Sequence, residues 1–266
     1  MASHHTPMQG LPLSIPGVDG RDHEALRLGE PGAGVPLVLH LHGGAFCSAP
    51  PAGRTTAVAR VLAEVGACVV SLRYPLAPAQ PFPEALAAAH ATLLHLRSEC
   101  SAPLFVAGEE AGGNLAAGVA RMARDREEPL LAGQILCSAL LSPLFATASQ
   151  RNAKLGFAGS PIEQGWRRYA ARPCDDSHPY AAPAHALRLQ GLAPAWLLTA
   201  QDDPFRDETR AYARRLGEQG IQATLVCLPR PTNFPAAYQD DDSARAPWMT
   251  AVRDSLRDFL AAVTRT

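Results

Sequence analysis

The sequence predicts an α/β architecture in which a mostly parallel central sheet is flanked by helices. Three observations carry that prediction. Short apolar runs such as Val35–Leu41 and Ala195–Ala200 have the length and continuity of strands buried on both faces. They alternate with stretches of helical spacing such as Glu84–Arg97 and Asp207–Gln219, and that alternation favours parallel pairing through helical crossovers. Finally, the run Phe105-Val106-Ala107 breaks at Gly108 and re-emerges past Gly112 as a small-residue helix. A sharp strand-to-helix turn of this kind exposes one side chain at the top of a sheet.

With 266 residues, 47% of them apolar and 18% charged, the chain has the material for one globular domain with a substantial core. A formal net charge of −1 gives no electrostatic reason to expect a nucleic acid or an anionic membrane as partner. No apolar run approaches the ~20 residues of a membrane span. The first ten residues carry no basic-then-apolar signal pattern, and His4-His5 is too short to be a tag. The six cysteines are scattered without a Cys-x-x-Cys pair, and Cys68, Cys137 and Cys227 fall inside apolar runs, where buried free thiols are expected. A reducing, cytoplasmic setting and a monomer or homodimer are the expectation. No cluster of His, Cys, Asp or Glu has metal-ligand spacing, so no metal and no cofactor are expected.

In chain order, Leu13–Ile15 and Ala25–Leu28 read as strands of a small meander, with Gly17 and Asp19-Gly20 as its turn signals. Val35–Leu41 follows as a buried strand ending in His42-Gly43-Gly44-Ala45-Phe46. Residues 54–65 read as a helix and Ala67–Tyr74 as the next strand. The segment Pro75 to Pro83 holds four prolines and is predicted to be an ordered loop. A helix over Glu84–Arg97 then leads to the strand Leu104–Ala107, the sharp turn, and a helix over Ala111–Arg126. Ala132–Ser142 reads as another buried strand. Residues 144–190 lose sheet periodicity and are expected to form a small lid, with Trp166, Arg167, Arg168 and Tyr169 on a helix. Ala195–Ala200, a helix at Asp207–Gln219, the strand Ala223–Leu228 and a helix over 246–264 complete the alternation.

Several stretches, in order, resemble the hormone-sensitive-lipase-like branch of the α/β-hydrolases. His42-Gly-Gly-Ala45 resembles that branch's His-Gly-Gly-Gly oxyanion motif. Tyr74-Pro-Leu-Ala-Pro-Ala-Gln-Pro-Phe-Pro83 is similar to its Tyr-Arg-Leu-Ala-Pro-Glu-His-Pro-Phe-Pro. Gly108 to Ala116 resembles Gly-Asp-Ser-Ala-Gly-Gly-Asn-Leu-Ala with two positions changed, and Asp203 to Glu208 resembles the segment whose first residue is the catalytic acid. Leu228 to Phe234 is similar to the loop that carries the catalytic histidine. The resemblance spans about residues 35–260 and implies an α/β-hydrolase fold. Few residues precede the first strand compared with family esterases, which implies a reduced N-terminal cap and a pocket open to a bulky or carrier-bound ligand.

The departures from the pattern set the functional expectation. The resemblance places the triad of serine, aspartate and histidine at Glu110, Asp203 and Asn233. A serine esterase needs a hydroxyl to attack and an imidazole to carry the proton; Glu110 supplies no hydroxyl, and Asn233 exchanges no proton near neutral pH. Cys47, His90, His95, His178 and His185 are the other nucleophile or base candidates. The resemblance implies an oxyanion hole of backbone N–H groups from Gly43, Gly44 and Ala111, which side-chain drift does not erase. Ala45, Phe46 and Tyr74 are candidates to line a ligand pocket, and Trp166 and Tyr169 either line it from the lid or pack the lid onto the core. His42 and Glu109 are expected to be structural.

A carboxylate beside an oxyanion hole suits proton abstraction next to a carbonyl. The expectation is therefore a lyase, isomerase or cyclase acting on a carbonyl or ester-like small molecule, with Glu110 as acid or base. The alternative is an inactive esterase homologue that binds a ligand or a partner. Two effects oppose each other at Glu110: a helix N-terminus lowers its pKa, while burial raises it. In one arrangement its carboxylate folds into the oxyanion hole and blocks it.

Overall fold

The computed structural model describes residues 10–17, 20, 22–128, 131–156, 158–239 and 246–264. His4-His5 and Asp19 lie outside them. Eight strands form one sheet in the order β1-β2-β4-β3-β5-β6-β7-β8. They are β1 (Leu11–Pro16), β2 (Asp22–Leu28), β3 (Leu37–Leu41), β4 (Cys68–Leu72), β5 (Leu104–Glu109), β6 (Gly133–Cys137), β7 (Ala195–Ala200) and β8 (Ala223–Leu228). The β1–β2 and β2–β4 pairs are antiparallel, as a meander requires, and the pairs from β4 through β8 are parallel.

The described residues form seven α-helices: α1 (Ala57–Glu64), α2 (Glu84–Glu99), α3 (Ala111–Asp125), α4 (Ala148–Asn152), α5 (Pro161–Tyr169), α6 (Arg206–Glu218) and α7 (Met249–Thr264). One core packs α2, α3 and α6 against the sheet, the other packs α1 and α7. Covered on both sides, β3, β4, β5, β6 and β7 are buried at every position, which is why their sequences are apolar without alternation. Strand β8 lies at the sheet edge. Cys227 is accordingly half-buried, whereas Cys68 and Cys137 are buried as expected.

Helix α3 passes through the centre of the molecule, and Ala111 to Ala123 are all buried. Its small residues are a packing requirement. A Cβ on Gly112 would lie 1.9 Å from the Leu41 carbonyl oxygen, and one on Gly118 would lie 2.7 Å from that of Tyr180. No real Cβ contact is that short, so the helix docks only where these side chains are missing.

Strand β6 is shorter than the predicted Ala132–Ser142. Ser138 adopts φ 43 and turns the chain out of the sheet, so Ser138 to Leu141 are buried as loop. The β6–β7 connection then carries α4, α5 and two single-turn 3-10 helices at Asp175–Ser177 and Pro183–His185, in keeping with the lost sheet periodicity there. Among the described residues, no helix is long and apolar enough to cross a membrane.

Candidate active site

The site forms where β3 and β5 end side by side, paired in register at Leu41 and Gly108. The loop after β3 holds Gly44, Ala45 and Phe46 at φ values of 117, 50 and 61, and the turn after β5 holds Glu110 at φ 52 and ψ −115. A non-glycine residue held in the left-handed region costs on the order of 1–3 kcal/mol, which the surrounding structure must offset. At Glu110 the offset is visible: its N–H donates to Cys137 O at 3.0 Å, and its carbonyl accepts from Asn114 N at 3.1 Å and Leu140 N at 3.0 Å. Two neighbouring segments, the end of β6 with the residues after it and the first turn of α3, thus fix position 110, and its side chain points at the loop after β3.

The carboxylate of Glu110 occupies the position expected for an oxyanion hole. Gly44 N–H donates to Oε2 at 2.5 Å and Ala45 N–H donates to Oε1 at 2.9 Å. The Ala111 amide also favours the ionised carboxylate. Glu110 is 6% exposed, and burial raises its pKa to about 7 against the pull of the Gly44, Ala45 and Ala111 amides. Burial, not the helix N-terminus, decides the direction. The Gly43 amide, expected in the hole, donates instead to Glu109 Oε1 at 2.9 Å. The donors facing the site are therefore Gly44, Ala45 and Ala111.

Asp203 and Asn233, the acid and histidine positions of the resembled triad, are bonded to other partners and not to each other. Asp203 is 1% exposed; its Oδ2 accepts from Ser138 Oγ at 2.7 Å and Thr199 Oγ1 at 2.6 Å, and its Oδ1 accepts from Phe205 N–H at 2.9 Å. Burial raises its pKa despite these donors. Tyr238 OH lies 2.8 Å from Ser138 Oγ and extends the cluster. Asn233 is exposed, adopts φ 60, and its N–H reaches Asp202 Oδ2 at 3.3 Å. Thr232 anchors the same loop to Asp202 through its N–H at 2.7 Å and its hydroxyl at 2.8 Å. The loop is thus tied to the neighbour of the acid, which draws Asn233 to the surface.

The aromatic residues expected to line a ligand pocket are packed on one another. Phe46 stacks on Tyr169 at 4.0 Å between centroids and meets Trp166 edge-on at 5.6 Å. All three are at most 2% exposed. The close approach behind this is at Gly165, where a Cβ would lie 2.2 Å from Ala45 O, so α5 rests directly on the oxyanion loop. Tyr74 stacks on His42 and donates to His42 O at 2.7 Å, which makes it a brace for that loop.

His42 lies with Nδ1 2.7 Å from Gly43 O; a carbonyl only accepts, so Nδ1 carries the proton. Burial lowers the His42 pKa to about 4, and the ring is neutral, a loop-fixing residue as expected.

Of the other candidates, Cys47 is half-buried at the rim, its thiol pushed up by burial although the Arg168 side chain opposes this. His90 bonds Glu128, His185 Nε2 lies 3.0 Å from Ser142 Oγ, and His178 packs on Phe82 and Tyr180. His95 is half-buried on α2. None of these histidines has a contact with Glu110 or Asp203. No group of three or more His, Cys, Asp or Glu among the described residues could hold a metal ion.

A strand–turn–helix elbow at the end of a mostly parallel, helix-covered sheet is the architecture of an α/β hydrolase, and the chain belongs to that family: residues 38–232 match the family described as alpha/beta hydrolase fold. Its relatives are ester hydrolases of the hormone-sensitive-lipase-like kind. The chain is 31% identical to an arylesterase of Saccharolobus solfataricus over 70% of this chain and 63% of that protein. It is 30% identical to the carboxylic ester hydrolase LipN of Mycobacterium tuberculosis over 81% of this chain and 61% of that one. Among solved structures, a bacterial heroin esterase superposes with a TM-score of 0.80 at 29% identity, over 97% of this chain and 84% of the other. An esterase of Pyrobaculum calidifontis gives 0.78 at 28% identity, over 98% and 86%. The chain spans 58–65% of the length of the first curated relatives it matches.

These findings overturn the expectation of a non-hydrolytic lyase, isomerase or cyclase. The relatives act on esters by name. In addition, the hole that was to hold an enolate is filled by the carboxylate that was to generate it.

Proposed function

We propose that the protein is a hydrolase of small carboxylic esters whose oxyanion hole is closed at rest by Glu110, and that its reaction does not pass through an acyl-serine. On this reading Glu110 replaces the family's serine, and the family's histidine has no working counterpart at Asn233. The ester class is supported by the names of the relatives. The observation that carries the resting closure is the pair of hydrogen bonds from Gly44 and Ala45 to the Glu110 carboxylate.

A substrate carbonyl has to displace that carboxylate. Hydrogen bonds to a charged group contribute about 1.5–3 kcal/mol each, so breaking two of them makes turnover slow beside that of a serine enzyme. At rest burial already holds the carboxyl at about 7, and leaving the Gly44 and Ala45 amides removes bonds that lower its pKa, so the displaced carboxylate is the more basic and accepts a proton from water. Water oxygen bonds to the carbonyl carbon, its proton passes to Glu110, and the oxyanion takes the Gly44 and Ala45 amides. Collapse of the tetrahedral intermediate breaks the bond to the alcohol oxygen, which leaves with the proton from Glu110. The acid product departs and the carboxylate returns to the hole.

Release of p-nitrophenol from p-nitrophenyl butyrate tests the reading in the purified protein and in Glu110→Gln. The expected result is slow steady release without a burst, rising with pH through about 7, and reduced at least ~100-fold by the substitution, as loss of a general base requires. No release above buffer from the parent protein overturns the proposal, as does equal release from Glu110→Gln.

A further inference from the structure

Beneath the oxyanion loop lies a buried polar cluster that the proposed reaction does not use. Glu109, at the end of β5, is 0% exposed, and so is His40 in the middle of β3. Glu109 Oε2 lies 2.9 Å from His40 Nε2, while Oε1 accepts the Gly43 N–H at 2.9 Å. The other imidazole nitrogen lies 2.9 Å from Ser71 Oγ on β4, and that hydroxyl meets Thr55 Oγ1 at 3.0 Å. Thr56 Oγ1 approaches His40 Nε2 at 3.4 Å. Two central strands and the segment before α1 thus brace a single carboxylate.

Burying a carboxylate beside a histidine is costly unless every remaining lone pair finds a donor, and apolar replacements are often as stable. An apolar residue could not hold the Gly43 amide. Gly43 immediately precedes the two amides that grip Glu110, and it is wedged between both acids. A Cβ there would lie 2.7 Å from Glu110 Oε2 and 3.3 Å from Glu109 O.

We propose that Glu109, braced by His40, is a positioning residue of the site: it anchors the Gly43 amide so that the Gly44 and Ala45 amides converge on the carboxyl of Glu110. The inference rests on the reading of Glu110 as the resting occupant of the hole. Glu109 is also the ionised neighbour of Glu110. Burial pushes the Glu109 pKa up, but His40 beside it and the Gly43 N–H bring it below the usual carboxylate range.

The other groups facing Glu110 differ in kind. Burial keeps the Tyr74 phenol from the opposing loop neutral, well above its ordinary pKa. Burial also keeps His42 neutral. The Cys47 thiol is pushed up by burial, with Arg168 of α5 beyond it. Glu109 is thus the anion whose charge Glu110 registers, after its own burial and against the amides of Gly44 and Ala45.

The test follows the backbone amide resonances of Gly44 and Ala45 by 1H–15N NMR against pH in the full chain, in Glu109→Gln and in Glu109→Asp. In the parent protein both resonances should titrate with a midpoint near 7. Glutamine keeps an acceptor for Gly43 but loses the charge, so the amides should stay bonded while the midpoint falls, as removal of a close like charge requires. Aspartate keeps the charge but withdraws the carboxylate by one methylene, so the Gly43, Gly44 and Ala45 resonances should all move toward unbonded values; this variant carries the test where Glu109→Gln does not fold. A merely structural Glu109 would leave the midpoint where it is, and an unchanged midpoint in Glu109→Gln, or unchanged amides in Glu109→Asp, overturns the positioning role. If the amides of the parent protein do not titrate, Glu110 is not the occupant, and the reading beneath this inference falls with it.

Discussion

Ser138 donates a hydrogen bond to Asp203 across 2.7 Å, and the acid of the resembled triad is thereby locked to the sheet that carries it. Thr199 and the Phe205 amide complete its acceptors. With these bonds made, Asp203 is a fixed structural carboxylate, and nothing on the Thr232–Phe234 loop is oriented by it.

Restoring the family's side chains should therefore not restore the family's reaction. The double change Glu110→Ser with Asn233→His opens the hole and supplies both functional groups, but position 233 is exposed and bonded toward Asp202. The expected p-nitrophenyl butyrate rate of the double variant equals that of Glu110→Ser alone. A gain of ~100-fold or more over the single variant, the scale of a working base, would show that the loop reaches the site.

The contributions of Glu110 and Glu208 to stability should fall as pH rises from about 4.5 to about 7, while His42, its pKa lowered to about 4, contributes in the opposite sense up to about 6.5. The ordinary glutamate pKa is 4.5, and burial raises that of Glu110 to about 7 and that of Glu208 to about 8. Between those values the two folded carboxyls hold protons that the unfolded chain has released, so through them raising the pH pulls the equilibrium toward the unfolded state. One pKa unit corresponds to about 1.4 kcal/mol, so Glu110 alone accounts for a loss of about 3 kcal/mol across that window. Raising the pH from 5 to 8 should therefore lower the urea midpoint more, or raise it less, in the parent protein than in Glu110→Gln. An equal difference would mean that the side chain titrates at its ordinary value.

Glu208 ties the β6–β7 connection to α6. It accepts from the Leu141 amide and from Gln150 Nε2 of α4, and it is 5% exposed. Glu208→Ala leaves both donors buried and unpaired, at about 1–3 kcal/mol each. A loss of about 2–6 kcal/mol is expected from denaturant unfolding. Glu208→Gln keeps an acceptor and should cost less than half as much.

Gly165→Ala should lift α5 from the oxyanion loop. The added methyl meets the Ala45 carbonyl oxygen at 2.2 Å and its Cβ at 2.6 Å, a clash that movement of α5 relieves. Trp166, 2% exposed and bonded through Nε1 to Asp176 at 2.7 Å, reports on it. Its fluorescence should shift to the red, and the melting temperature should fall. An unchanged spectrum would place the give in the loop instead.

The fold was legible in the chain because its signals are backbone requirements. Glycines at 108 and 112 are needed wherever β5 turns into α3, whatever side chain stands between them. The continuous apolar runs follow from helices on both faces. What the sequence did not reveal was set by contacts between distant segments. Nothing in Arg230 to Phe234 announces that Asp202 captures Thr232. Likewise Ser138 reads as one more residue of a strand until its φ of 43 and its bond to Asp203 are seen. His40 offered a signal that went unread: one polar side chain in the buried run Val35–Leu41 demands a partner, and Glu109 is that partner.

The register pairing of Leu41 with Gly108 also sets a mechanical limit. The two walls of the cleft, the loop after β3 and the elbow after β5, grow from strands hydrogen-bonded to each other, a separation of about 4.8 Å. No hinge runs between them, so the aperture is a ruler marked by the sheet itself. The pairing therefore fixes how closely the residue at 110 can approach the loop after β3, and the contact of Glu110 with the Gly44 and Ala45 amides is set by strand spacing.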